Sequence, residues 1–527
     1  MRTFLFSIAL FGSSALAFDK PKPAKSVKPV FEMSKETTVI LEPLDKFGYP
    51  DYETALNLRL RGSIKPKDNA CVKLWQALGP KTDTGKPIPA KYWEWLECKA
   101  PPEKGEYFIP SIKYLIKIGK TTSDNVDYDL DEKLSREPWN SNERPDYANW
   151  LKLVDKPLDI TVEAVLRKSF YSPFASEESA TRGSQFGGYA HHLQHCRLIG
   201  DALLKRAMFR TNQNQLEIAW NDLLACHRLA YHVASNSGFI GFLVGNALEI
   251  MACRADFAFL EYAKPRGELL ARIRNDLDAL PQFHYNSDQR HMIELYYLLD
   301  FVCNIRSGGI EKLASIIILS EDPRFVDIEN NRILDKMNWS DTFLVINQKH
   351  SQITKILQTT NRPLRMKRWK EYEAINKKLL LEMKDAMPFW NKDLQEGIVN
   401  NSTGSFIGNY LFLHIHYLWI CQKIESAGER KEQIVTLNKL AFALAAYHEA
   451  KGAYPDKLDQ LVPTFVKTMP VDLYSGKAPI YRKTEKGYIV YSVGLNEKDD
   501  GGKLITDLPN GNEPRGDDIG IRMPSKE

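Results

Sequence analysis

Hydrophobic residues recur at three- and four-residue spacing through the middle of the chain, from Asp159 to about Glu429. Segments such as QLEIAWNDLLACHRLAYHVAS and FIGFLVGNALEIMACRADFAFLEYA each place Leu, Ala, Ile and Phe on one helical face, and polar breaks such as 212–214 separate them. Antiparallel helices joined by short turns form bundles or solenoids. The pattern therefore predicts a mainly α-helical protein, with a bundle-like or solenoid-like array over residues 161–429.

The part of the chain before this array, residues 18–160, contains only short helix-like pieces broken by Pro or Gly. Several tryptophans are concentrated in it: Trp75, Trp93, Trp95, Trp139 and Trp150. Because aromatic side chains bury large areas, we expect them to pin this irregular, Trp-rich region onto the helical array. An aromatic platform that binds a sugar or a peptide is the alternative interpretation.

Residues 1–17 have the features of a signal peptide. Arg2 precedes an apolar run from Phe4 to Phe11, and Ala15-Leu16-Ala17 is a small-x-small cleavage site. The apolar run is too short to span a bilayer. We therefore expect the protein to be exported to the periplasm or the extracellular space. Disulfides form in such compartments, so Cys71 and Cys98 are either bridged or free thiols.

The composition is that of an ordinary globular protein, with 43% hydrophobic and 26% charged residues. A net charge of +4 over 527 residues gives no reason to expect a nucleic acid as partner. The basic run from Arg362 to Lys370 is interpreted as the start of a helix with a solvated basic face. Contact of this run with an anionic envelope surface is the alternative.

The last part of the chain, residues 430–527, changes from helical to mixed patterning. An amphipathic segment from Gln433 to Lys451 ends before Gly452, and two β-type runs follow at Ile480 to Arg482 and Tyr488 to Ser492. A polar stretch, SAGERK at residues 426–431, is expected to be a linker that separates this part from the helical array. The pattern predicts a small C-terminal α+β module.

Two acidic, Gly-rich loops lie at the end of this module. Asn496, Asp499 and Asp500 belong to the first loop, and Asp517 and Asp518 belong to the second. Calcium prefers about six to eight oxygen ligands, and these side chains offer carboxylate and amide oxygens. The two loops therefore predict a structural calcium site, and a solvated acidic turn is the alternative.

The order of these features resembles the globular part of the major pseudopilin of type II secretion systems. The matching positions are Pro470-Val471-Asp472 with Gly476, Tyr481, Tyr491 to Gly494, Asp499 to Gly502, and Asp517-Asp518-Ile519. The resemblance implies a helix packed on a small antiparallel sheet, with calcium bound in the loop after the last strand. The whole chain also resembles large exported bacterial proteins, and that second likeness implies no activity.

The sequence HHLQH places His191 and His195 at i and i+4 on a helix, a spacing that suits zinc. His227 and His232 follow one helix later, but the sequence does not place a third ligand. We therefore favour an exported, non-enzymatic scaffold or interaction protein that binds a protein partner. A metal-dependent hydrolase that uses HHLQH and an accessory protein of a secretion system are the alternatives.

Overall fold

The structure, a computed structural model, describes residues 31–176, 192–235, 237–308, 338–395, 405, 409, 417–505 and 516–525. It is mainly α-helical, with one small sheet near the C-terminal end, and this confirms the predicted fold class. The helices are α1 (Tyr52–Arg61), α2 (Ala70–Leu78), α3 (Ala90–Trp95), α4 (Ser111–Lys117), α5 (Tyr128–Lys133), α6 (Pro145–Ala164), α7 (Leu193–Asn212), α8 (Leu216–Ser235), α9 (Phe239–Ala263), α10 (Gly267–Ala279), α11 (Asp288–Gly308), α12 (Trp339–Leu357), α13 (Arg362–Gln395) and α14 (Tyr417–Lys451). The predicted signal peptide lies outside the described residues.

Four of the five tryptophans of the N-terminal region pack inward, as expected, and Trp95 is half-buried. Trp75, Trp93, Trp139 and Trp150 are buried, so they do not form an exposed binding platform. The indole N–H of Trp139 donates a hydrogen bond to the carbonyl of Lys205 on α7 at 3.2 Å, which ties this region to the helical array. Cys71 and Cys98 are not bridged. Cys71 is buried instead, with its sulfur 3.5 Å from the hydroxyl of Tyr92.

Helices α7, α8 and α9 form the centre of the array, and each packs against the other two. Two glycines allow the close approach. A Cβ atom added at Gly245 on α9 would lie 2.6 Å from the Cβ of Ala234 on α8, and one added at Gly200 on α7 would lie 2.4 Å from Leu248. The predicted break near residues 212–214 is confirmed, because α7 ends at Asn212 and α8 begins at Leu216.

Helix α14 is longer than the sequence indicated. It runs unbroken through residues 426–431, so the prediction of a linker there is wrong. Two charged residues of this stretch, Glu429 and Lys431, are buried against the helical body, as is Glu425 just before it. Glu425 and Glu429 pair with Arg365 on α13, and the Lys431 ammonium donates to the carbonyl of Phe283 at 2.7 Å. The domain boundaries predicted at residues 160 and 429 both fall inside helices, α6 and α14.

The same ion pairs correct the interpretation of the basic run. Arg362 and Arg365 are turned toward the acidic residues of α14, and Trp369 is buried. Only part of the run is therefore a solvated face. No helix within the described ranges combines the length and the apolar character that a membrane span requires.

The C-terminal sheet has three antiparallel strands in the order β1 (Ile480–Lys483), β2 (Tyr488–Ser492) and β3 (Ile519–Met523). Both predicted strands are present. The third was not predicted, although Ile519, Ile521 and Met523 alternate toward the buried side. Helix α14 packs against β2 and β3, so its first part contacts the body and its last part supports the sheet.

Replacing Ala427 by Pro should test whether residues 426–431 are a helix or a linker. Within a helix, Pro removes a backbone hydrogen bond and clashes with the preceding turn, so we expect Ala427→Pro to reduce the free energy of unfolding by about 3 kcal/mol. Ala427→Gly, the matched control, should cost only about 1 kcal/mol. Urea denaturation measures both values. Equal stability of Ala427→Pro and the wild type would show that this stretch is not helical.

Candidate functional site

A buried carboxylate holds the turn before the sheet against the end of β2. One oxygen of Asp472 accepts hydrogen bonds from the Ser492 hydroxyl at 2.6 Å and from the Tyr474 N–H at 3.1 Å. Its other oxygen accepts from the Ser475 hydroxyl at 2.7 Å. Because Asp472 is almost fully buried, these bonds replace the water that its charge would otherwise need. The Val493 N–H also donates to this second oxygen at 3.4 Å, so the loops at 470–476 and 493–497 are joined; we call them the docking loops.

The two acidic loops lie side by side. The Asp517 N–H donates to the Asp500 carboxylate at 2.8 Å, and the same carboxylate accepts from the Asn496 side chain at 3.0 Å. Asp518 is buried, and its carboxylate accepts the N–H groups of Gly502 at 2.8 Å and Asp500 at 3.3 Å. The structure thus brings Asn496, Asp500, Asp517 and Asp518 together.

Asp499 lies at the edge of this arrangement. Its carboxylate accepts from the Tyr491 hydroxyl at 2.9 Å and from the Gly501 N–H at 2.8 Å. Gly501 and Gly502 have positive φ angles of 78° and 81°, a conformation in which glycine is favoured because it has no Cβ. The loop can therefore turn sharply enough to present backbone N–H groups to the carboxylates.

The donor chemistry of these loops fits calcium, since the oxygens of Asn496, Asp500, Asp517 and Asp518 are hard ligands and each carboxylate oxygen keeps further lone pairs. The present geometry is not a closed coordination shell. Among the residues that the structure describes, no three of these carboxylates bring one oxygen each within 4.8 Å of one another. Burial raises the pKa of Asp518, although the N–H groups of Gly502 and Asp500 act in the opposite direction. The negative charge of Asp518 is therefore only partly compensated.

The HHLQH histidines do not form a metal group within the described ranges. His191 lies outside those residues. His195 is buried, with its ring 6.1 Å from the ring of Trp75, and His192 Nδ1 lies 2.9 Å from the hydroxyl oxygen of Ser172. His232 is also buried, and its Nε2 lies 3.1 Å from the carbonyl oxygen of Val165. It therefore has a structural partner within the protein.

His227, by contrast, lies in a buried polar cluster between α8 and α9. Its Nδ1 is 3.0 Å from Glu249 Oε1, and its Nε2 is 2.9 Å from Asp256 Oδ2. The thiol of Cys253 completes the group that we call the His227 cluster: His227, Glu249, Cys253 and Asp256. Asn438 on α14 donates to Asp256 Oδ2 at 2.7 Å. The cluster thus joins three helices.

The pKa values of three members of the His227 cluster are shifted from their ordinary values. Burial lowers the pKa of His227, but the carboxylates of Glu249 and Asp256 outweigh it and raise this pKa to about 10. Burial raises the pKa of Asp256, and His227 opposes that rise. Burial also raises the pKa of the Cys253 thiol. Without a metal ion, the imidazolium of His227 is held between two carboxylates.

Sequence reasoning named His227 but did not predict the buried polar groups around it. A usable signal was present in α9, the most apolar of the long helical segments, where Asn246, Glu249, Cys253 and Asp256 recur at spacings of three and four. Such spacing places polar groups on one helical face. Buried charges require partners, so this face predicts a complementary group on a neighbouring helix.

Comparisons with protein-family models, with curated proteins and with solved structures found no match for this chain. The resemblance of the C-terminal module to a pseudopilin therefore stays a prediction.

Replacing Asp472 by Ala should show how much the junction of the docking loops contributes to stability. The change leaves the buried Ser492 hydroxyl without its acceptor and removes the charged acceptor of the Tyr474 N–H, so we expect the free energy of unfolding to fall by about 2–3 kcal/mol. Glu485→Ala, at an exposed position of the same module, should change it by less than about 0.5 kcal/mol. Urea denaturation measures both. Equal effects of the two changes would contradict this assignment.

Proposed function

We propose that this chain is an exported, non-enzymatic scaffold that binds a protein partner through the docking loops of its C-terminal module, and that calcium holds the acidic loops in place. The observation that carries the proposal is the exposure of apolar side chains on these loops. Val471, Leu473 and Leu495 are 56%, 37% and 42% exposed. They lie on two loops that Asp472 joins, and we call these three residues the apolar patch.

The apolar patch is distinctive within its module. In the described part of residues 430–527, its three members are the exposed large hydrophobic residues. They lie on two loops that the carboxylate of Asp472 joins. Single exposed apolar residues are common on protein surfaces, whereas grouped ones mark interaction sites. The grouping therefore favours binding of a partner with an apolar contact surface.

The docking loops are also anchored on the helical body. This anchoring reduces the conformational entropy that the loops would lose when a partner binds. The side-chain oxygen of Gln433 on α14 accepts the N–H of Leu473 at 3.1 Å. Glu497, which follows the patch residue Leu495, pairs with Arg362 at the start of α13. A scaffold that presents a preformed surface needs supports of this kind.

Calcium would be bound by oxygens of Asn496, Asp500, Asp517 and Asp518, with Asp499 at the edge, and would compensate their negative charge. Because Asn496 and Glu497 directly follow Leu495, a fixed acidic loop also fixes one side of the apolar patch. The ion would have a structural role. The helix-on-sheet arrangement implied by the resemblance to pseudopilins supports this part of the proposal.

Calcium should raise the thermal stability of the purified protein. At a free concentration a hundred times its dissociation constant, a ligand bound only to the folded state adds about 2.7 kcal/mol. We expect a higher melting temperature in calcium than in EDTA, and loss of the difference in Asp518→Asn, because that change removes one charged ligand. Asp456→Asn, on the same module but outside the acidic loops, should keep it. Differential scanning calorimetry measures all three. An equal melting temperature of the wild type in calcium and EDTA would refute the calcium site.

Replacing two members of the apolar patch by charged residues should abolish partner binding. We expect a Leu473→Glu, Leu495→Glu variant to retain at least tenfold less of the partner, since burial of a charge opposes association at an apolar contact. The measurement is capture from an envelope fraction on immobilised full-length protein, quantified by mass spectrometry. Leu58→Glu, at an exposed position of α1, is the matched control.

A protein retained by the wild type and the control but not by the patch variant supports the proposal. Identical retention by all three proteins contradicts it. A retained pseudopilin would favour the role of a secretion-system accessory.

A further inference from the structure

The His227 cluster brings a ring nitrogen, a carboxylate and a thiol together, and a simple ion pair does not require the thiol. Within the residues that the structure describes, His227, Glu249 and Cys253 are the group whose ring nitrogen, carboxylate oxygen and thiol sulfur all lie within 4.8 Å of one another. Ligand atoms of a tetrahedral zinc ion are about 3.3–3.8 Å apart, given bond lengths of about 2.0–2.3 Å. Small side-chain movements would bring the three atoms to that separation.

We infer that His227, Glu249 and Cys253 bind a zinc-class divalent ion in the core between α8 and α9. A nitrogen, a carboxylate oxygen and a thiolate are the three kinds of ligand that zinc takes in proteins. Calcium and magnesium prefer oxygen ligands only, so this site differs in chemistry from the acidic loops. It does not depend on the proposed function.

The two ring nitrogens of His227 have separate roles. Nδ1 faces Glu249 Oε1 at 3.0 Å, so Nδ1 is the nitrogen that binds the ion. Nε2 faces Asp256 Oδ2 at 2.9 Å and donates its proton there. Histidine ligands of metals commonly donate their other N–H to a carboxylate, which fixes the tautomer and the ring orientation. Asp256 is therefore a positioning residue, and Asn438 holds it from α14 at 2.7 Å.

A second, independent observation comes from Asn246. It lies one turn before Glu249 on the same face of α9, and only 2% of its surface is exposed. Neither polar atom of its side-chain amide has a hydrogen-bond partner in the described structure. Buried polar groups of this kind are costly unless a partner or a bound group satisfies them. In the proposed site, a water molecule at the fourth position of a three-ligand zinc ion would be such a partner.

Binding also balances chemically. The ion takes up the sulfur of Cys253 as a thiolate and Nδ1 of His227 as a neutral nitrogen, so the protons of both groups are released to solvent. A coordinating thiol is deprotonated by the ion itself. Because the cluster is buried, the ion is taken up as the helices assemble, and its role is to join α8 to α9.

The test is to produce the untagged full-length protein in zinc-supplemented and in cobalt-supplemented medium. We expect about one equivalent of metal per chain, with one sulfur at about 2.3 Å and nitrogen or oxygen at about 2.0–2.2 Å from zinc in X-ray absorption spectra. The cobalt protein should show a thiolate-to-cobalt charge-transfer band. X-ray absorption on the wild type needs no variant, so a variant that fails to fold does not leave the question open.

Three variants test the sulfur ligand, a control cysteine and the positioning residue. Cys253→Ser should lose the charge-transfer band, whereas Cys196→Ala, a buried cysteine on α7, should keep it. Asp256→Asn should keep the band but bind the ion about 10–100-fold more weakly against a competing chelator. A wild-type protein without stoichiometric metal, a metal without a sulfur ligand, or an unchanged band in Cys253→Ser would overturn the inference.

Discussion

The buried charges of helix α14 determine how the C-terminal module is attached to the helical body. Glu425 and Glu429 pair with Arg365, and Lys431 donates to the carbonyl of Phe283. Removing one partner of such a buried pair costs about 3–5 kcal/mol. These groups can therefore enter the core only when α13 and the chain around Phe283 are in place, which links formation of the long helix to assembly of the body.

The same reasoning applies to the His227 cluster. Its charges lie on α9, a helix that is otherwise apolar, and they meet complementary groups on α8 and α14. A shift of one helix along another would separate at least one buried charge from its partner. Hydrophobic contacts alone are less sensitive to such a shift, because they are not directional. We infer that these polar contacts select one register among the three helices.

The sequence predicts the fold class and most helices because hydrophobic periodicity is a local signal. It also predicts that the two acidic loops come together, from their shared oxygen ligands, and Asp500 lies against Asp517 and Asp518, although the third strand beside them was not predicted. The linker prediction for residues 426–431 failed for the opposite reason. A stretch with Gly428, Glu429 and Lys431 has the composition of a linker, and only partners far along the chain, such as Arg365, show that it is buried.

The long separation of its members along the chain also explains why the sequence alone did not predict the whole His227 cluster. The carboxylates of Glu249 and Asp256 that face His227 lie on a second helix, 22 and 29 residues along the chain, with no local motif. Its connection to α14 spans 182 residues. Periodicity places Glu249, Cys253 and Asp256 on one face of α9, but only the packing angle between α8 and α9 decides that His227 faces them.

Helix α14 also connects the two candidate sites. Asn438 contacts Asp256 of the His227 cluster, and Gln433, five residues earlier, accepts the N–H of Leu473 in the apolar patch. An ion in the core would therefore restrain the helix that supports the docking loops. Fixing the position of α14 does not by itself couple the two sites. Coupling requires an element that adopts two arrangements, with both sites shifting the equilibrium between them. Helix α14 is buried in the body at one end and under the sheet at the other, so it fixes the relative position of the two sites and nothing more. On these proposals, an ion in the core would stabilise the fold, whereas the affinity of the apolar patch would depend on the acidic loops beside it.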